Sequence, residues 1–185
     1  MFKKIIAFLA LSVFLVGAAG GCFNFTTPDL SGNWQGSLDS SKNPSARIRI
    51  TITNLVQDPG GNFTSGVVTV TYTAPVSNTQ YTLTANVYGE STDQWRARIK
   101  AKGYVTSDQT PALIALILFM TGNQISVSSG DYYDLAFTFP HFYGCRGGDL
   151  TSLTGDYQFN MHINTNAGQV TQLFDEGTAN ITRIQ

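Results

Sequence analysis

Apolar and polar side chains alternate one for one along most of this chain. "ARIRITITNL" (46–55) sets Ile against Arg and Thr, while "SGVVTVTYT" (65–73) and "QYTLTANVY" (80–88) set Val, Leu and Tyr against Thr and Asn. "QWRARIKAKGYV" (94–105), "DYYDLAFTF" (131–139), "GDYQFNMHI" (155–163) and "GTANITRI" (177–184) continue the pattern. A period of two marks a strand with one face in a core and the other in water, because successive side chains leave opposite faces. Clusters of Gly, Pro, Asn, Asp and Ser separate the runs, among them SSKNPS, QDPGGN, APVSNT and NTNAG. Their spacing suits hairpins joined in sequence. The expectation is an all-β fold, an antiparallel up-and-down meander of about eight to ten strands closed into a barrel, since closure removes exposed edges. A β-sandwich is the alternative.

One segment breaks the alternation. "TPALIALILFMTGN" (110–123) carries an unbroken apolar run over 112–120. Thr110, Pro111 and Gly122 stand where a short helix would place its cap, its first turn and its stop. Periodicity does not decide between that helix and a strand buried on both faces; the surrounding meander favours the strand. The run is too short for a transmembrane helix. A transmembrane barrel would need an apolar row facing lipid. The polar rows of "RARIKAK" and "TITN", with Ala and Ile opposite, suit an apolar interior instead.

The N-terminus begins MFKKIIAFLALSVFLVGAAGGC. Lys3 and Lys4, an apolar stretch from Ile5 to Val16, and small residues from Gly17 to Gly21 follow the order of a secretory signal peptide. Cys22 after Ala19-Gly20-Gly21 resembles the lipobox of bacterial lipoproteins. That resemblance implies an acylated Cys22 as the new N-terminus, with residues 1–21 as signal, 22–28 as lipidated tether and 29–185 as a single barrel domain. Acyl chains would hold the protein on a membrane. Phe rather than Asp at position 23 points, by resemblance to enterobacterial sorting, to the outer membrane. A cut after Ala19 would instead give a soluble secreted or periplasmic protein. A lipidated Cys22 leaves Cys145 without a partner in the chain, whereas a free Cys22 could pair with it in an oxidising compartment.

"DLSGNWQGSL" (29–38) resembles the first-strand signature of the calycins, the lipocalin and avidin barrels, whose hallmark is Gly-x-Trp, here Gly32-Asn33-Trp34. The resemblance implies a barrel whose end is closed by Trp34 packed on an Arg of the last strand, for which Arg183 is the candidate. A guanidinium over an indole contributes about 1 kcal/mol. The segment "LSGNWQ" is echoed at 153–158 as "LTGDYQ". No second matching block follows, so the echo is read as shared turn chemistry at two strand starts, with the aromatic as the first inward side chain.

Removing residues 1–21 takes away two of the eleven cations and none of the twelve anions, which leaves a net charge of −3. Nothing in that balance suggests a nucleic-acid binder. Six of the remaining cations, Arg47, Arg49, Arg96, Arg98, Lys100 and Lys102, sit at alternate positions of two strands. Burying six unpaired cations is prohibitive, so they are expected to face outward, where they could contact anionic headgroups or phosphates. Phe142 and Tyr143, in the aromatic and Gly-rich "FPHFYGCRGGD", are candidates for a loop at a ligand-binding mouth. His141 and His162 have no Cys, Asp or Glu neighbour at metal-ligand spacing, so neither a metal nor another cofactor is expected. No catalytic constellation stands out. The expected function is a non-catalytic cell-envelope lipoprotein binding a small apolar or amphipathic ligand in its barrel. The alternative is a structural or interaction lipoprotein with a solid core; no protein partner is legible. The size of the inward residues discriminates: Ala85, Ala97 and Ala101 would leave room, while Phe and Tyr on the same layer would fill it.

Overall fold

Gly32, at φ +114°, turns the chain into its first strand with a backbone geometry that L side chains rarely adopt. The computed structural model describes residues 28–184 apart from 91, 93–95, 123–124, 141–142, 147–148 and 166–169. Its strands are β1 (Gly32–Ser40), β2 (Arg47–Gln57), β3 (Phe63–Thr73), β4 (Gln80–Gly89), β5 (Ala97–Tyr104), β6 (Tyr132–Phe139), β7 (Tyr143–Arg146), β8 (Asp149–Asn164) and β9 (Val170–Ile184). Each of β1 to β5 pairs antiparallel with the strand that follows it, β6 pairs with β8, β8 with β9, and β9 returns to β1. The result is a closed eight-stranded barrel. Short β7 lies outside that ring and pairs with the first turn-side residues of β8. A sandwich is thereby excluded.

The alternation read from the sequence sorts the two faces. Ile48, Ile50 and Ile52 of β2, Val68, Val70 and Tyr72 of β3, and Leu83, Ala85 and Val87 of β4 are buried. Arg47, Arg49, Thr82 and Asn86 between them are exposed. Small inward residues lie against large ones: Ala97 pairs with Phe139, Ala101 with Leu135, and Gly103 with Tyr133. A Cβ on Gly103 would come within 2.2 Å of the Tyr133 ring, so this position is glycine because the ring lies across it. Gly36 has a similar role at barrel closure, where a Cβ would meet the Asn180 carbonyl oxygen of β9 at 2.0 Å.

Residues 110–121 form a helix, α1 (Thr110–Thr121), and not the buried strand favoured by the meander around it. The physical reasons are local and topological. Pro111 lacks an N–H and fits only the first turn. Gly122, at φ +71°, ends the helix with its N–H on the Leu118 carbonyl at 2.8 Å. The eight strands close the ring without it, and its apolar side chains cover the open mouth instead. Ala112, Leu113, Leu116 and Ile117 are buried, and the Phe119 ring sits 4.6 Å from that of Tyr72 at the end of β3. Burial of each large side chain stabilises the helix by about 1.5–3 kcal/mol.

The sequence echo also resolves. Gly32 opens β1 and is followed by buried Trp34; Gly155, at φ +139°, is followed by buried Tyr157. The local shape is the same, but Gly155 lies inside β8, which starts at Asp149, so only the first copy opens a strand.

Candidate functional site

The barrel has two different ends. At the end where β1 begins and β9 finishes, Trp34 and Leu30 are fully buried, and the Arg183 guanidinium carbon lies 4.8 Å from the Trp34 ring centroid. The Trp34 Nε1–H donates to the Leu30 carbonyl at 2.8 Å, which satisfies the indole without water. Arg183 donates to the Asp29 carbonyl. The Ser31 backbone N–H and hydroxyl, with Arg183 nearby, hold the Asp29 carboxyl below its ordinary range. Arg183 fastens the chain entering β1 to the chain leaving β9, while the Trp34 and Ser31 bonds brace the entering chain itself.

The opposite end is covered by α1. Leu116 and Met120 of the helix project among Leu38, Ile48, Val70, Phe137 and Phe159, and the space left between them is about 10 Å³. That is about the room one water needs. One carboxylate stands in this apolar layer. Asp175 of β9 is 2% exposed and accepts from the Ser40 hydroxyl and the Tyr157 hydroxyl, both at 2.6 Å. The Asn43 N–H extends the network to Ser40 at 2.9 Å. Burial, reinforced by Asp175, pushes the Tyr157 phenol well above its ordinary pKa. Burial raises that of Tyr133 to about 12; its hydroxyl donates to the Thr84 carbonyl at 2.8 Å.

The six cations of the alternating rows are outward, but the strand register separates them. Arg47 and Arg49 lie at the helix-covered end of β2, level with Thr73 and Thr71. Lys102 lies level with Asn86, which pairs with Val67 further along the barrel, and Arg96 to Lys100 continue toward the Trp34 end. Lys100 is ion-paired with Glu90; Lys102 reaches Asp134 at 3.9 Å and lies over the Tyr132 ring at 4.5 Å. They are therefore two groups rather than one strip. His162 shares a shallow outer depression with Arg98 and Lys100. Among the described residues no cluster of metal-ligating side chains occurs, and no helix is long and apolar enough to cross a membrane.

Cys22 and Phe142 lie outside the described residues. Tyr143 and Cys145 are placed by backbone in β7, paired near Thr154 and Leu150, at the Trp34 end and away from the helix-covered mouth. Sequence reasoning missed Asp175 and Ser40. The signal was present: Asp175 shares parity with Leu173, Ala179 and Ile181, but a strand read as starting at 177 stops short of it. No protein-family model, curated protein or solved structure matches this chain.

Proposed function

We propose that this is a non-catalytic, exported barrel that acts through its outer surface, held on the bacterial outer membrane by acyl chains on Cys22. The anchor rests on the signal-like order of residues 1–21 and the thiol that follows. The surface reading rests on one observation: among the described residues, the space left beneath α1 is about 10 Å³, far less than the 300–1,000 Å³ of ordinary small-molecule sites. Ala97 faces Phe139 and Ala101 faces Leu135, both buried, so large side chains of β6 take the room beside these small residues.

Native mass spectrometry of the protein from its own host tests the reading. The expected mass is the acylated chain alone; a co-purifying small molecule overturns it. Labelled palmitate should enter the wild-type protein and not Cys22→Ala.

A second reading keeps a small amphipathic ligand inside the barrel after α1 withdraws. The outward side of α1 favours it, because Leu118 is 41% exposed and Ile114 is half-buried, so the helix carries apolar residues on both faces. A ligand replacing Leu116 and Met120 would meet Asp175 and Tyr157 as its polar partners. Addition of a fluorescent fatty acid that is protected from water only when α1 is destabilised would support this reading over the first.

A further inference from the structure

The seam that joins β4 to β5 in the closed ring is short. The β3–β4 ladder runs without interruption from Val67–Asn86 to Thr73–Gln80. The β4–β5 ladder covers only Gly89–Lys100 to Asn86–Lys102. From Gln80 to Ala85, β4 thus has a ladder partner on one side alone, with the start of α1 near its other edge. Beside it runs a groove of about 450 Å³, whose far wall is the start of α1, with Asp108, Gln109 and Pro111.

The direction of the free backbone groups follows from hydrogen-bond parity. The Ala74 N–H donates to the Thr79 carbonyl at 2.9 Å, so that facing pair is hydrogen-bonded. Antiparallel pairs alternate. Tyr72–Tyr81 and Val70–Leu83 are then bonded pairs, while Thr73–Gln80, Thr71–Thr82 and Thr69–Thr84 are not. The hydroxyls of Thr71 and Thr82, 3.3 Å apart, agree with the closer side-chain approach of a non-bonded pair. The N–H and C=O groups of Gln80, Thr82 and Thr84 therefore point away from β3 and into the groove. Thr84 confirms the direction, since its carbonyl accepts from Tyr133. Among the described residues no other partner is found for these backbone groups.

We propose that this edge of β4 is a strand-addition site for an extended peptide of a partner protein, one that carries a basic side chain opposite Asp108. Only another backbone supplies alternating partners at the spacing of the free groups, the N–H and C=O of Gln80 and Thr82 and the N–H of Thr84, whose carbonyl already accepts from Tyr133; this is the chemistry of β-augmentation. Asp108 is the single charged residue lining the groove, and the remaining side chains are mostly Gln and Thr. An acidic peptide is disfavoured on that account. The site deepens the surface-acting reading and rests on it, because it lies on the outside of a filled barrel.

The probe is acetyl-Thr-Val-Lys-Val-Thr-amide, added to the isotope-labelled full chain in mild detergent and followed by amide NMR and hydrogen exchange. The free protein should show fast exchange at Thr82 against slow exchange at Leu83. The peptide should shift the amides of Gln80, Thr82 and Thr84 and slow their exchange by about tenfold or more. Replacing its Lys by Glu should weaken binding about twofold to fivefold, and Asp108→Asn should remove that difference. Thr82→Pro deletes a groove-facing N–H without touching the β3 ladder, as edge strands tolerate. It should abolish binding while the β1 and β9 resonances stay in place. If Thr82→Pro fails to fold, the peptide pair on wild type and Asp108→Asn carries the test. Equal, slow exchange at Thr82 and Leu83 in the free protein overturns the proposal, as do peptide shifts elsewhere, including on a second copy's interface. A small molecule found inside the barrel would sink the surface-acting reading and leave these amide measurements to be judged separately.

Discussion

The two ends of the barrel are closed by different means. At the Trp34 end, closure is built into the strands themselves: an inward indole, an inward arginine from the neighbouring strand, and backbone hydrogen bonds from both. At the other end, closure is a separate element, α1, joined by loops and held by apolar contacts with Tyr72 and the inner layer. A strand-built closure cannot be lost without opening the ring. A helix-built closure can in principle be lost while the ring survives, because no ladder passes through it.

Substitutions at the two ends break or sharpen this contrast. The largest expected effect is Trp34→Ala, about 3–5 kcal/mol for a fully buried aromatic. Thermal unfolding should fall in one step, with barrel and helix signals lost together. Leu113→Ala, at the buried face of α1, should cost about 2–4 kcal/mol, and hydrogen exchange should show α1 amides losing protection while β1 and β9 keep theirs. Simultaneous loss in both places would end the distinction.

The ends should also differ in their pH response. Tyr133 and Tyr157, both toward α1, have phenols raised by burial from the ordinary value of 10.0. The unfolded chain ionises first, so their contribution is complete below about pH 10 and is lost as pH rises toward the folded values. Asp29 and Glu90, toward the Trp34 end, have carboxyls lowered from 3.8 and 4.5, chiefly by Ser31 and by Lys100. Their contribution is present above those values and is lost as pH falls through the folded ones. Melting temperature against pH should therefore drop on both limbs. Tyr133→Phe should flatten the alkaline limb alone and Asp29→Asn the acid limb alone.

Arg183→Gln should cost about 1 kcal/mol, the worth of the guanidinium over the indole, read from denaturant midpoints. The smallest effect is expected at Leu118→Ser on the outward side of α1, within about 0.5 kcal/mol. A larger loss there would mean that the exposed face of the helix is covered in solution.

Much of this protein was legible because side-chain direction in a strand is a local property. The faces of β4 and β6, of β2 up to Thr53 and of β3 from Val67 follow residue by residue from the alternation, which shifts phase at the bulge near Asn54; even the outward cations obey it. The pairing of Trp34 with Arg183 was implied by the calycin-like opening, and the closed meander brings the first and last strands together as that requires. The alternation also reached Asp175, had the last strand been extended to its real start. Three matters lay beyond the sequence. Whether 110–121 is a helix depended on the apolar barrel mouth that its buried side chains cover. Whether the interior is hollow depended on which small residue faces which ring across the register. Whether the cations form one strip depended on stagger between strands, which no single strand encodes. Local pattern determines which way each side chain points; only the closed sheet decides what it points at.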